Sequence, residues 1–242
     1  TYGGKEVSHT DRQKSDEDLK RIVKETINRG GKVLIPTLGV GRSQEIMLVI
    51  ENLVRTGLME NIPVYIDGLI WDVTAIHTAY PEYLNSSIRK LIFHKDKNPF
   101  LSDIFKRVGS QEERRQLIEE TGPCVILATS GMLQGGPSVE YLRHLADNKK
   151  NSMIFVNYQG EGSLGRRIQR GEREYAVKNG SKSEIVQINL EVNTVEGFSG
   201  HSNRTQLLNF VDRCEPRPKK IIVNHGDSSR CLELASSLHK NF

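Results

Sequence analysis

Apolar residues recur at two different spacings along this 242-residue chain, and the alternation between them sets out the elements. "KVLIP" (32–36), "IPVYID" (62–67), "PCVILAT" (123–129) and "SMIFVNY" (152–158) are short continuous apolar runs, the pattern of strands buried on both faces. Helical spacing lies between them. "GRSQEIMLVIENLVRTG", apolar at Ile46, Leu48, Val49, Leu53 and Val54, reads as helical. "SQEERRQLIEE" predicts a polar helix, "SVEYLRHLAD" an amphipathic one, and 69–91 two helices broken near Pro81. Ser15 with Asp18 three residues on reads as a capping box, predicting a helix from Asp16 to Arg29 that Gly30 ends. Strands separated by helices predict a mainly parallel sheet joined by crossovers.

The pattern changes near residue 175. Longer extended runs follow, with Asn179-Gly180 as a hairpin signal, and then helix, strand and helix to the C-terminus. "YQGEGSLGRRIQRGERE", rich in Gly and Arg, marks the boundary.

Composition narrows the class. The chain is 36% hydrophobic and 26% charged, as globular proteins are. No apolar run approaches the ~18 residues of a membrane span, so no membrane partner is expected. A net charge of +4 permits a nucleic-acid partner without demanding one. Cys124, Cys214 and Cys231 fit neither a disulfide framework nor a CxxC metal site, and read as reduced thiols of a cytoplasmic protein.

Candidate chemistry gathers at the corners after strands, where ligands of open α/β sheets bind. Gly39-x-Gly41 before a helix could cradle a phosphate, with Asp67 placed as a ribose-binding acid, but Gln44 stands where the third glycine of a dinucleotide fingerprint belongs. Arg42 could instead meet a phosphate backbone. Ser130 and Gly131 in "LATSGMLQGGPS" could hold an anion on backbone N–H groups and a hydroxyl, or simply form a turn-rich loop. Arg166, Arg170 and Arg173 share a face if their segment is helical, as a phosphate-contacting stripe or a solvated face. His201 in "GFSGHS" and His225 in "VNHGD" each stand beside a glycine and lead into a helix. Imidazole is both the commonest metal ligand and the usual acid or base near neutral pH. The other five of the seven histidines lack that setting.

"TYGG", "IPTLGVGRSQE", "ATSGMLQGGPSVEYL", "VNYQGEGSLGRRIQ", "GFSGHS" and "VNHGD" occur here in the order found in the β-CASP branch of the metallo-β-lactamase nucleases. The chain resembles most the archaeal homologues of the nuclease subunit of the cleavage and polyadenylation specificity factor, with RNase J a more distant cousin. The resemblance covers nearly the whole length. It implies an α/β fold in which a β-CASP domain, a mainly parallel sheet flanked by helices, is joined to the C-terminal part of a metallo-β-lactamase αββα fold. The implied division is 1–14 as the end of a metallo-β-lactamase segment, 15–175 as the β-CASP domain and 176–242 as the returning segment.

The resemblance further implies hydrolysis of RNA with two zinc ions, in mRNA 3'-end processing or RNA decay. "GFSGHS" resembles motif B, which makes His201 the histidine near the scissile phosphate. "VNHGD" resembles motif C, which makes His225 a zinc ligand. Arg42, Ser130, Gly131, Arg166 and Arg170 are then the candidate RNA contacts. RNA is the expected partner, with a homodimer left open. The family's HxHxDH motif is absent, so the chain is expected to be a piece of the enzyme, inactive alone and with apolar faces left bare near Ile185 to Val192 and Ile221 to Val223. Two rivals stand beside this reading: a non-catalytic RNA-binding member of the family, and a Rossmann-like nucleotide-binding enzyme.

Overall fold

A computed structural model describes residues 12–179, 182–198 and 201–242. The "TYGG" stretch, His9, Gly180 and Gly200 lie outside the described residues. The chain divides into two compact units, 16–198 and a second made of 1–15 with 199–242.

The larger unit is built on β1 (Lys32–Pro36), β2 (Val64–Asp67), β3 (Phe105–Val108), β4 (Cys124–Ala128), β5 (Ser152–Phe155) and β8 (Glu191–Thr194), in the order β3-β2-β4-β1-β5-β8 with every neighbour parallel. The continuous apolar runs follow from burial on both faces. Val33 and Ile35 enter a core with α1 (Arg12–Asn28), α2 (Arg42–Arg55) and α3 (Ile70–Ala79). Leu34, Ile126 and Met153 enter a second core on the opposite face. That core includes α5 (Gln111–Glu119), α6 (Pro137–Leu145), α7 (Leu164–Gln169) and the antiparallel pair β6 (Glu174–Asn179) and β7 (Lys182–Gln187). The break near Pro81 is a short 3-10 turn, Pro81–Tyr83, ahead of α4 (Ser86–Lys95).

Three expectations change. The first helix begins at Arg12, so Ser15 lies inside it, buried, and is no cap; nothing in Arg12-Gln13-Lys14 stops a helix from running back another turn. Its end is as expected, with Gly30 at φ 73°. β3 had no sequence signal, because in "FKRV" only the two end residues are buried. The larger unit also continues past 175 to Phe198, because β8 extends the sheet beside β5. Val186, Ile188 and Leu190, which the sequence reading left bare, are buried in the second core, while Ile185 is 64% exposed.

One polar network ties the strand ends to the helices. Asp67, 2% exposed, closes β2 and accepts two hydrogen bonds from Arg114 of α5, at 2.8 and 3.1 Å, and one from the Tyr141 hydroxyl of α6 at 2.8 Å. Arg114 also reaches Glu140 at 2.6 Å. Burial and the adjoining Asp67 carboxylate push the Tyr141 phenol far above its ordinary pKa. Asp67 is therefore structural and holds no ribose. Asp67→Ala should strand a buried guanidinium and lower the unfolding free energy by about 3–5 kcal/mol in urea titration, while Tyr141→Phe should cost about 1 kcal/mol.

At the far edge, Arg29 donates to Glu191 at 2.7 Å. Burial alone would raise the Glu191 carboxyl, but hydrogen bonds from Arg29, Asn193 and Ser152 hold it below its ordinary value. Its contribution is therefore present above the unfolded carboxylate pKa of ~4.3 and is lost as pH falls through the folded value. Glu191→Gln should be less stable than the parent at pH 7, and the gap should close in acid; a gap that stays constant with pH would show that the ion pair adds nothing.

Candidate functional site

Two helices shape the smaller unit. α8 (Arg204–Asp212) starts at a capping box, in which the Asn203 side chain accepts from the Gln206 N–H at 2.8 Å and Gln206 Oε1 accepts from the Asn203 N–H at 2.9 Å. α9 (Ser228–Asn241) follows Asp227 as its N-cap. Each candidate histidine stands two residues before one of these caps, His201 ahead of Asn203 and His225 ahead of Asp227. Arg204, the first residue of α8, donates to the Glu233 carbonyl at 3.2 Å and to the Ser237 hydroxyl, both on α9. Arg204 thereby ties the start of α8 to the middle of α9.

The imidazoles of His201 and His225 meet, with ring centroids 5.4 Å apart and planes inclined by 39°. His225 has φ 62°, the left-handed region that a residue with a side chain seldom adopts. Such a conformation persists only where the surroundings impose it, and it gathers at functional sites. Both side chains are exposed. The expected strand before His225 does not form. Ile222 is 79% exposed and Ile221 also faces outward, and among the described residues this unit offers no neighbouring strand to complete a ladder.

A catalytic zinc site takes three protein ligands. Among the described residues no group of three His, Cys, Asp or Glu side chains could hold a metal ion. The imidazole pair therefore does not fit zinc on its own.

The other candidates lie at the C-terminal ends of the sheet in the larger unit. β1 leads to a helix on one face and its neighbour β4 to a helix on the other, so a crevice opens where they part. Gly131 lies there, and a Cβ on it would come within 2.7 Å of Asn157 Nδ2 and 3.0 Å of the Leu38 nitrogen. Its role is close approach of two loops. The Ser130 hydroxyl is used within its own loop, accepting from the Gln134 N–H at 2.9 Å and donating to the Gly135 carbonyl at 3.1 Å. The Gly165 N–H at the start of α7 donates to the Met132 carbonyl at 3.3 Å, which brings Arg166 to this loop.

Arg166, Arg170 and Arg173 do not form one helical face, because α7 stops at Gln169 and Gly171 turns at φ 107°. Arg170 pairs with Glu161 at 2.8 Å and Arg167 pairs with Glu172. Arg42 is paired with Glu45 and sits at the mouth of a cavity of about 460 Å³ lined by Leu38, Val40, His77 and Ile88. Gln44 fills the groove of Gly39-x-Gly41, accepting from the Gly41 N–H at 2.7 Å and donating to the Gly39 carbonyl at 3.2 Å. Its side chain takes the donors a phosphate would use.

Sequence reasoning missed Thr37, Asn157 and Gln159. The side-chain oxygens of all three, and Arg166 Nε, are buried at these strand ends without a hydrogen-bond partner. Buried polar atoms are ordinarily satisfied, so this cluster marks a place for water or ligand. Nothing in the local pattern signals it, since Asn and Gln are common in any loop.

Comparison with known proteins gives the family. The Beta-Casp domain model matches residues 43–168, and the model of the Zn-dependent metallo-hydrolase RNA specificity domain matches 185–242. The chain belongs to the β-CASP family of metallo-hydrolases. It is 55% identical over 244 residues to the transcription termination factor FttA of Methanocaldococcus jannaschii, and 51% identical over 243 residues to that of Thermococcus kodakarensis. All of the chain is covered in both cases, but only 38% and 37% of those relatives. This β-CASP chain thus spans less than two-fifths of their length. The nucleotide-binding rival loses its support to Gln44 and to this family membership. No helix among the described residues is long and apolar enough to cross a membrane.

If Arg204 is the tie between the histidine loops, Arg204→Ala should shift the imidazole NMR signals of His201 and His225 together. Movement of one signal alone, or of neither, would show that each loop is held independently.

Proposed function

We propose that the chain supplies the RNA-facing part and two imidazoles of a zinc-dependent ribonuclease that acts in transcription termination, in the cytoplasm. The supporting observation is the 5.4 Å approach of His201 and His225, each placed by the start of its own helix. The curated relatives, named as transcription termination factors, favour termination over mRNA 3'-end processing or RNA decay.

In this reading His201 hydrogen-bonds the phosphate oxygens as the bond breaks, or gives a proton to the leaving oxygen, a role in which a well-placed imidazole contributes about 10²–10⁴ in rate. His225 serves as one member of a zinc ligand set whose other members lie outside the described residues. Arg166, whose Nε has no partner, and Gly131 are the candidate RNA contacts of the larger unit, the Ser130 hydroxyl and N–H both being used within their own loop. Arg42 and Arg170, each ion-paired, would contribute by exchanging a carboxylate for a phosphate.

The test compares four proteins on labelled RNA with zinc: a longer protein carrying these residues together with the remainder seen in the relatives, its His201→Ala and His225→Ala variants, and the 242-residue chain alone. The longer protein should cut, each variant should fall by roughly 100-fold or more, and the chain alone should not cut. Chelator-sensitive cleavage by the chain alone, or variants that cut at the parent rate, would overturn the assignment.

A further inference from the structure

We propose that the outward face of α4, with the turn before it, is a surface that binds single-stranded RNA through residues other than those assigned above. The proposal rests on the RNA-handling reading above and names a surface that the reading does not use.

The helix has no buried residue. Its apolar side, Ile88, Leu91 and Ile92, turns toward the two surface cavities beside it. The other side carries Arg89, Lys90 and Phe93, all exposed. At about 100° per residue, Phe93 falls angularly between Arg89 and Lys90, so an aromatic ring stands between two cations. Phe93 is 61% exposed, Tyr80 56% and Tyr83 83%, and the Pro81–Tyr83 turn packs against α4. Single exposed aromatics are ordinary, but three of them grouped with cations are not explained by folding.

Charge selects the occupant. From Tyr80 to Lys97 the chain holds Arg89, Lys90, Lys95 and Lys97 against Glu82 and Asp96. Among the described residues these four cations form no ion pair, in contrast with Arg167 and Arg170, whose charges are matched by Glu172 and Glu161. Unpaired cations can meet phosphates without first releasing a carboxylate. Exposed rings can stack on bases, which a duplex keeps inside its own stack. Cations interleaved with aromatic rings are the combination that holds single strands without reading their sequence.

The experiment titrates a fluorescent oligouridylate of about 16 nucleotides, long enough to span such a site, with the 242-residue protein at several salt concentrations. Phe93→Ala should weaken binding roughly tenfold. Arg89→Ala with Lys90→Ala should reduce the slope of log affinity against log salt by about 1–2. Arg115→Ala, an exposed cation already paired with Glu112, should change neither. RNA bound equally well by parent and α4 variants would overturn this surface and leave the hydrolytic reading standing. If no RNA binds, and polyglutamate binds with the same loss in the α4 variants, the surface belongs to an acidic protein instead. If neither ligand binds, the surface assignment also fails, and the hydrolytic reading is then judged separately by cleavage in the longer protein.

Discussion

A parallel sheet is stable only where both its faces are covered, and this requirement organises the larger unit. Every strand of the six-stranded sheet runs the same way, so each connection must cross a face, and the crossing helices supply the cover. Neighbouring β1 and β4 send their chains to opposite faces, which opens the crevice at their C-terminal ends. The loops gathered there come within van der Waals distance of one another at Gly131. The same requirement explains why the unit reaches Phe198. Without β8, the edge of β5 would be left open.

Arginine has three different physical situations here. Arg114 is buried and bidentate on Asp67, where it pins α5 and α6 to the end of β2. Arg29 crosses from the end of α1 to Glu191 and holds the edge strand. Arg167 and Arg170 lie in the most conspicuous basic stretch of the sequence, yet each already has a carboxylate. A count of basic residues therefore overstates that stretch and understates α4, whose cations form no ion pair among the described residues. The available field of a surface depends on which charges remain uncompensated, and this is decided by packing.

The histidine pair rests on a small arrangement. Arg204 joins the start of α8 to the middle of α9, and each histidine stands two positions before its helix's N-cap. The capping box at Asn203 sets the angle at which the chain enters α8. The two imidazoles, separated by 24 positions, meet at 5.4 Å.

The sequence by itself determined the elements whose pattern is local. The four apolar strands, the amphipathic helices, the break at Pro81 and the hairpin around 180 are written in residue spacing and turn chemistry. The setting of His201 and His225, each beside a glycine and ahead of a helix, is local as well, and the ordered motifs carried the family. Tertiary structure alone decided the rest. β3 exists because β2 offers it a ladder, and its own residues give no sign of it. The strand expected before His225 is missing because no neighbour is there to pair with it. Gln44 turned a glycine pair that suggests a phosphate site into a filled helix start, and Asp67 became a buried acceptor. Burial, pairing and charge compensation are properties of neighbours brought from far along the chain, and no window of sequence contains them.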